Sequence, residues 1–193
     1  MRRLSVARRI SDCMHQVSTG PVTLLALAVF VAFSAWVLPQ QAARAAEVAG
    51  GAGSPDMSFY YSPGDLYRWA EAYGPSGRQA YVRARFTFDL IFPLVYLFFL
   101  ATATSWLAGR AFPPHSLWQR ANLAPLLGTL FDYCENVSAA LVMVRYPDRT
   151  PVVDLLAPVF TGLKWLALGT GLVFLAVALA VAARSWARER RRQ

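Results

Sequence analysis

Residues 121–144 read ANLAPLLGTLFDYCENVSAALVMV. The stretch has the length and most of the apolar character of a helix that crosses a bilayer, which takes about 20 residues. Asp132, Glu135 and Asn136 interrupt it. They stand at i, i+3 and i+4, so a helix carries all three on one face. Gly128 and Ala139 share that face, and small residues let a second helix approach closely. A carboxylate near the centre of a lone span costs about 2.5–3.5 kcal/mol on insertion scales. Such a face therefore belongs against partner helices inside a bundle.

The rest of the chain supplies candidates for those partners. It has 193 residues, 56% of them hydrophobic, against roughly 45–50% for a soluble domain. The apolar residues fall in long blocks, at about 21–38, 86–107, 121–144 and 152–183. Pro39 closes the first block, Pro93 is expected to kink the second, and Pro125 is tolerated in the first turns of the third. Thr150 is expected to cap the fourth, with Pro151 at its first position. That block exceeds the bilayer core, so it should tilt, kink at Pro158 or project into the cytoplasm.

The expected fold is all-α: a polytopic membrane protein, built as a four-helix transmembrane bundle with a short extracytoplasmic amphipathic helix. Residues 1–20 form a basic cytoplasmic segment, 21–183 the membrane domain and 184–193 a basic cytoplasmic tail. A second reading of the start takes the first apolar block and the small residues 42–46 as a signal peptide, cleaved after Ala45 or Ala46.

Charge sets the orientation. The net charge is +8, and Lys164 is the only lysine. Arg2, Arg3, Arg8 and Arg9 precede the first block, and Arg184, Arg188, Arg190, Arg191 and Arg192 follow the last. Arginines flanking spans mark the cytoplasmic side. Both termini are thus expected inside, with 40–85 and 145–150 outside and 109–120 inside, in the inner or plasma membrane. The expected partners are the lipid bilayer and a second membrane protein or another copy of the chain. The outer segment also holds Arg44, Arg68, Arg78, Arg83 and Arg85, but the nine arginines at the two ends decide the orientation, and their place beside spans suits lipid headgroups rather than nucleic acid.

The outer segment opens with an Ala- and Gly-rich stretch, 40–57, that reads as a flexible linker. Ser62, Pro63 and Asp65 then make a helix start with a capping box. Leu66, Trp69, Ala70 and Tyr73 recur on one face, and Gly74 ends the helix. Ser76 and Gln79 make a second box, opening a helix that should run on through Arg85 into the second span. Tyr60, Tyr61, Tyr67, Trp69, Tyr73 and Tyr81 read as a belt at the membrane surface.

Lys164 is the best partner for the acidic face by depth. Counted from the outer ends, Lys164 and Asp132 each lie roughly 18 Å deep and Glu135 roughly 14 Å. Ala157, Thr161 and Gly171 lie on the lysine's side of the fourth span. Two carboxylates against one ammonium leave an excess negative charge, and desolvation disfavours the second charge. Arg85 and Asp89, at i and i+4, make an outer pair, with Tyr96 two turns deeper on the same face. A polar track could lead from that pair to the acidic cluster.

Cys13 and Cys134 fall in different environments, and a disulfide between them is not expected. No His or Cys spacing suggests a metal, and no cofactor motif is present. His15 and His115 lie in polar segments. Thr102, Thr104 and Ser105 are expected to bond to their own backbone.

The run Ser62-Pro63, Leu66, Tyr73-Gly74, Gly77-Arg78, Tyr81, Asp89 to Pro93, Tyr96, Phe131-Asp132, Glu135-Asn136, Tyr146-Pro147 and Lys164-Trp165 resembles a set of small bacterial four-span membrane proteins. The likeness covers about residues 60–166. It implies an architecture and no mechanism, because no activity is established for that set. Three roles follow as expectations. The first is a structural or accessory bundle with a buried polar network between spans 3 and 4. The second is a small proton- or ion-coupled transporter. The third is a membrane-embedded enzyme on a lipid or isoprenoid, with a carboxyl of span 3 as acid or base.

Overall fold

The computed structural model describes residues 6–55 and 58–190. Arg2, Arg3, Asp56, Arg191 and Arg192 lie outside the described residues. The described chain is helical, with no strand. The helices are α1 (Val6–Val17), α2 (Gly20–Ala32), α3 (Leu38–Ala49), α4 (Pro63–Arg85), α5 (Phe88–Ala111), α6 (Leu123–Arg145) and α7 (Val153–Arg190). A 3₁₀ segment, Leu117–Asn122, leads into α6.

Among the described residues, three helical stretches are long and apolar enough to cross a membrane: Gly20–Ala49, Pro63–Ala111 and Val153–Arg188. The α6 helix is not among them. Asp132, Glu135 and Asn136 lower its mean hydropathy, so the residues that single out this segment also weaken its signal as a span.

The described residues form two compact units, 6–30 with 95–127 and 167–190, and 31–55 with 58–94 and 128–166. The first unit gathers α1, the α5–α6 connection and the end of α7. Phe112, Trp118 and Phe174 stack within it, with ring centroids 5.6–6.1 Å apart. The second gathers α3, α4 and the facing parts of α5, α6 and α7. Its core holds Tyr61, Leu66, Ala70, Tyr73, Tyr81, Ala139, Val142, Met143 and Ala157.

Several sequence expectations need correction. Pro39 does not end the first apolar helix. A π turn at Phe33–Val37 hands the chain to α3, and Pro39 sits in that helix's first turn, where a missing N–H costs little. The stretch 40–49 is therefore helix and not linker, in keeping with its alanines. It packs on α4, where Val48 meets Gly77. The flexible character is left to Gly50, Gly51 and Gly53, all at positive φ.

The capping box at Ser62 is present: the Asp65 N–H donates to Ser62 Oγ (3.2 Å), and the Ser62 N–H donates to Asp65 Oδ2 (2.7 Å). Gly74 breaks the helix at φ 62°, ψ 179°, and Pro75 restarts it. The restarted helix does not run unbroken into the second span. It ends at Arg85, and a turn at Phe86–Thr87 precedes α5.

The tyrosine belt is a second correction. Tyr61, Tyr67, Tyr73 and Tyr81 are buried, and Tyr60 alone of the group is strongly exposed. A buried tyrosine needs a partner for its hydroxyl. Tyr67 Oη donates to Asp154 Oδ2 (3.2 Å) and accepts from the Thr150 N–H (2.7 Å), and Tyr73 Oη donates to the Gly53 carbonyl (2.7 Å). The α4 helix thus buries its apolar face within the protein.

Thr150 does not cap α7 with its hydroxyl. Its carbonyl accepts from Asp154 N (3.1 Å), Val152 takes φ 74°, and the helix begins at Val153. A β-branched residue in the left-handed region is strained, whereas Gly74 uses a region open to glycine. We expect Val152→Gly to stabilise the protein by about 1 kcal/mol and Gly74→Ala to destabilise it by about 1–3 kcal/mol. Thermal unfolding of the two variants in detergent checks both signs.

Candidate functional site

The acidic face of α6 lies in the second unit, and four helices meet there. Glu135 is 1% exposed and Asn136 5%. Lys164 Nζ of α7 lies 2.6 Å from Glu135 Oε2 and 3.5 Å from Asp132 Oδ1. Asn136 Nδ2 donates to Asp132 Oδ1 at 3.5 Å, one turn back on α6. The amide oxygen of Asn136 accepts from Arg85 NH1 at 3.2 Å, and Arg85 Nε pairs with Asp89 Oδ2 at 2.9 Å. The Arg85 guanidinium also sits 4.5 Å from the Tyr81 ring centroid.

These contacts form one chain of polar groups: Asp89, Arg85, Asn136, Asp132, Lys164 and Glu135. It ties the end of α4 and the start of α5 to α6 and α7. The helical periods explain why. Asp132, Glu135 and Asn136 share a face, as do Gly128 and Ala139, both buried. On α7, Ala157 and Thr161 line the same side as Lys164, and both are fully buried. Small side chains on both helices bring the backbones close enough for the lysine to reach.

The spacing-based pairs, Lys164 with Asp132 and Glu135 and Arg85 with Asp89, are all present. Asn136 joins them by accepting from Arg85, because the turn at Phe86–Thr87 leaves Arg85 at the end of α4, buried beside α6. Tyr96 is buried on α5, seven residues beyond Asp89 and in the first unit. Near Pro93, α6 side chains donate to two α5 carbonyls: Tyr133 Oη to Leu90 (2.8 Å) and Thr129 Oγ1 to Pro93 (3.5 Å).

Counted as ionised groups, the network holds three carboxylates and two cations. One proton or one monovalent cation would balance it. Among the described residues, no group of three His, Cys, Asp or Glu is arranged to hold a metal. Two clefts open in this unit. One of about 430 Å³ is lined by Arg78, Arg83, Met143 and Tyr146 among others, and one of about 260 Å³ by Tyr67, Glu71, Tyr146 and Arg149 among others. Neither is lined by Glu135, Asp132 or Lys164.

A second polar cluster, in the first unit, escaped the sequence reading. Ser11 Oγ donates to Asn122 Oδ1 (2.8 Å), and Asn122 Nδ2 donates to the Ser11 carbonyl (3.1 Å) and to Ser105 Oγ (3.0 Å). Ser105 therefore serves a neighbouring segment, while Thr102 bonds back to its own helix at Phe98 (2.7 Å) as expected. His15 Nε2 lies 2.8 Å from the Gln119 carbonyl. No periodicity marks Ser11 or Asn122; the signal would have been a helix across residues 6–17.

No protein-family model, curated protein or solved structure matches the chain.

Removing one partner of a buried pair strands the other, at a cost of about 3–5 kcal/mol. We expect Lys164→Met to lower stability by that order, and Lys164→Met with Glu135→Gln to recover most of the loss. Thermal unfolding of the single and double variants measures the recovery, and an additive double variant would contradict the pairing.

Proposed function

We propose that this chain is an integral protein of the cell membrane, multi-pass, with α2, α5, α6 and α7 as its four crossing helices and both termini cytoplasmic. Its role in this reading is structural or accessory: a bundle clamped by a buried charged network that presents its surfaces to lipid and to a partner protein or a second copy. The carrying observation is the closed contact of Glu135 with Lys164, 2.6 Å apart with Glu135 1% exposed.

Exposed apolar residues support the membrane part. Leu24, Leu25 and Val31 on α2, Leu90, Ile91 and Leu94 on α5, Leu130, Val137 and Val144 on α6, and Leu166, Val173 and Leu179 on α7 are all exposed. Leaving one such side chain in water forfeits about 1.5–3 kcal/mol relative to burial, and a bilayer removes that penalty.

The charge count favours a second reading. Three carboxylates against two cations suit a site that takes up and releases a proton or a monovalent cation, as in a small coupled transporter. Substitution separates the two. In the structural reading, Glu135→Gln with Lys164→Met inserts and supports growth like wild type. In the transporter reading, Glu135→Gln alone abolishes cation-dependent proton uptake in proteoliposomes without lowering the amount of protein. Membrane insertion is checked separately. The protein should stay in the pellet after alkaline carbonate extraction, and a maleimide should label Arg149→Cys from outside and Arg188→Cys only after permeabilisation.

A further inference from the structure

The α1 helix is turned the opposite way from a helix of a soluble protein. At about 100° per residue, Val6, Ile10, Cys13 and Val17 fall within roughly 60° of arc. That apolar stripe is exposed, Val6 at 73% and Val17 at 57%. The side packed against protein is the polar one. Ser11, 2% exposed, and His15 face the 3₁₀ segment Leu117–Asn122. Asn122 grips Ser11 through both side chain and backbone, so the helix cannot roll its stripe inward without breaking those bonds.

Three further observations say what covers the stripe. α1 ends at Val17 and α2 begins at Gly20, so the stripe sits within a turn of the first apolar helix. Arg8 and Arg9 are exposed on α1. Leu117 and Trp118, on the segment that holds α1, are exposed at 76% and 60%, and tryptophan favours the headgroup level. We infer that α1 is an in-plane interfacial helix that lays Val6, Ile10, Cys13 and Val17 into the headgroup region of an anionic leaflet. The arginines supply the attraction to negative lipid, and the Ser11–Asn122 lock sets the rotation. This rests on α2 crossing the bilayer.

The test uses the full chain in proteoliposomes, with Cys134 replaced by Ser. A nitroxide is placed on Cys13, or on Val6→Cys, Ile10→Cys, Ala7→Cys or Asp12→Cys in a chain that also carries Cys13→Ser. Leu25→Cys on α2 is the control for insertion. Vesicles contain three parts phosphatidylcholine to one part phosphatidylglycerol, or phosphatidylcholine alone. The expected result is severalfold lower accessibility to an aqueous nickel chelate at positions 6, 10 and 13 than at 7 and 12. The contrast should shrink at least twofold without the anionic lipid. Equal accessibility at all five positions overturns the inference, as does a contrast indifferent to lipid charge. Disulfide crosslinking through Cys13 between copies overturns it in favour of self-association. A shielded Leu25 with a water-exposed stripe sinks only the α1 inference, whereas an exposed Leu25 sinks the membrane reading with it.

Discussion

The second unit depends on one constraint: charged side chains taken out of water must meet opposite charges inside the protein. Lys164 cannot leave Glu135 without stranding a carboxylate that is 1% exposed. Arg85 cannot leave without giving up both its pair with Asp89 and its bond to Asn136. Unsatisfied charges are far more costly in such a place than unmade apolar contacts. The network therefore restricts which faces of α6 and α7 may meet, and where α4 must end. The apolar packing then fills in around it, with Ala139, Ala157 and Thr161 small enough to permit the approach.

The α4 helix shows a milder form of the same rule. Two of its buried tyrosines carry partnered hydroxyls: Tyr67 reaches Asp154 and Thr150, and Tyr73 reaches Gly53. An amphipathic aromatic residue can serve at a membrane surface or in a wet-edged core. The choice is made by whether a partner lies within reach of its tip. α1 makes the opposite choice, spending its polar side on the protein and leaving its apolar side outward.

Polar clusters of this kind serve equally as fasteners and as sites, and their geometry alone carries no substrate. In the second unit Lys164 closes on Glu135 at 2.6 Å, and neither of the two clefts described above is lined by that pair.

Much of this was legible in sequence because it follows from local period and composition. The i, i+3, i+4 spacing puts Asp132, Glu135 and Asn136 on one face, and Lys164, the partner expected for them, lies within 3.5 Å of both carboxylates. The capping residues at Ser62 and Asp65 announce a helix start, and Gly74 its break. Pro39 misled because a π turn just before it lets the helix resume, a device that no local pattern marks. The alanines of 40–49 read as linker because their helix is held by packing on α4 and not by an apolar stripe. The tyrosines, Ser11 and Asn122 needed partners far away in the chain, 83 to 111 residues for Tyr67–Thr150 and Ser11–Asn122. Sequence by itself determined which residues share a charged helix face. Tertiary structure decided which polar tip found a partner, because hydrogen bonds and ion pairs form over about 3 Å and no one-dimensional pattern carries that distance.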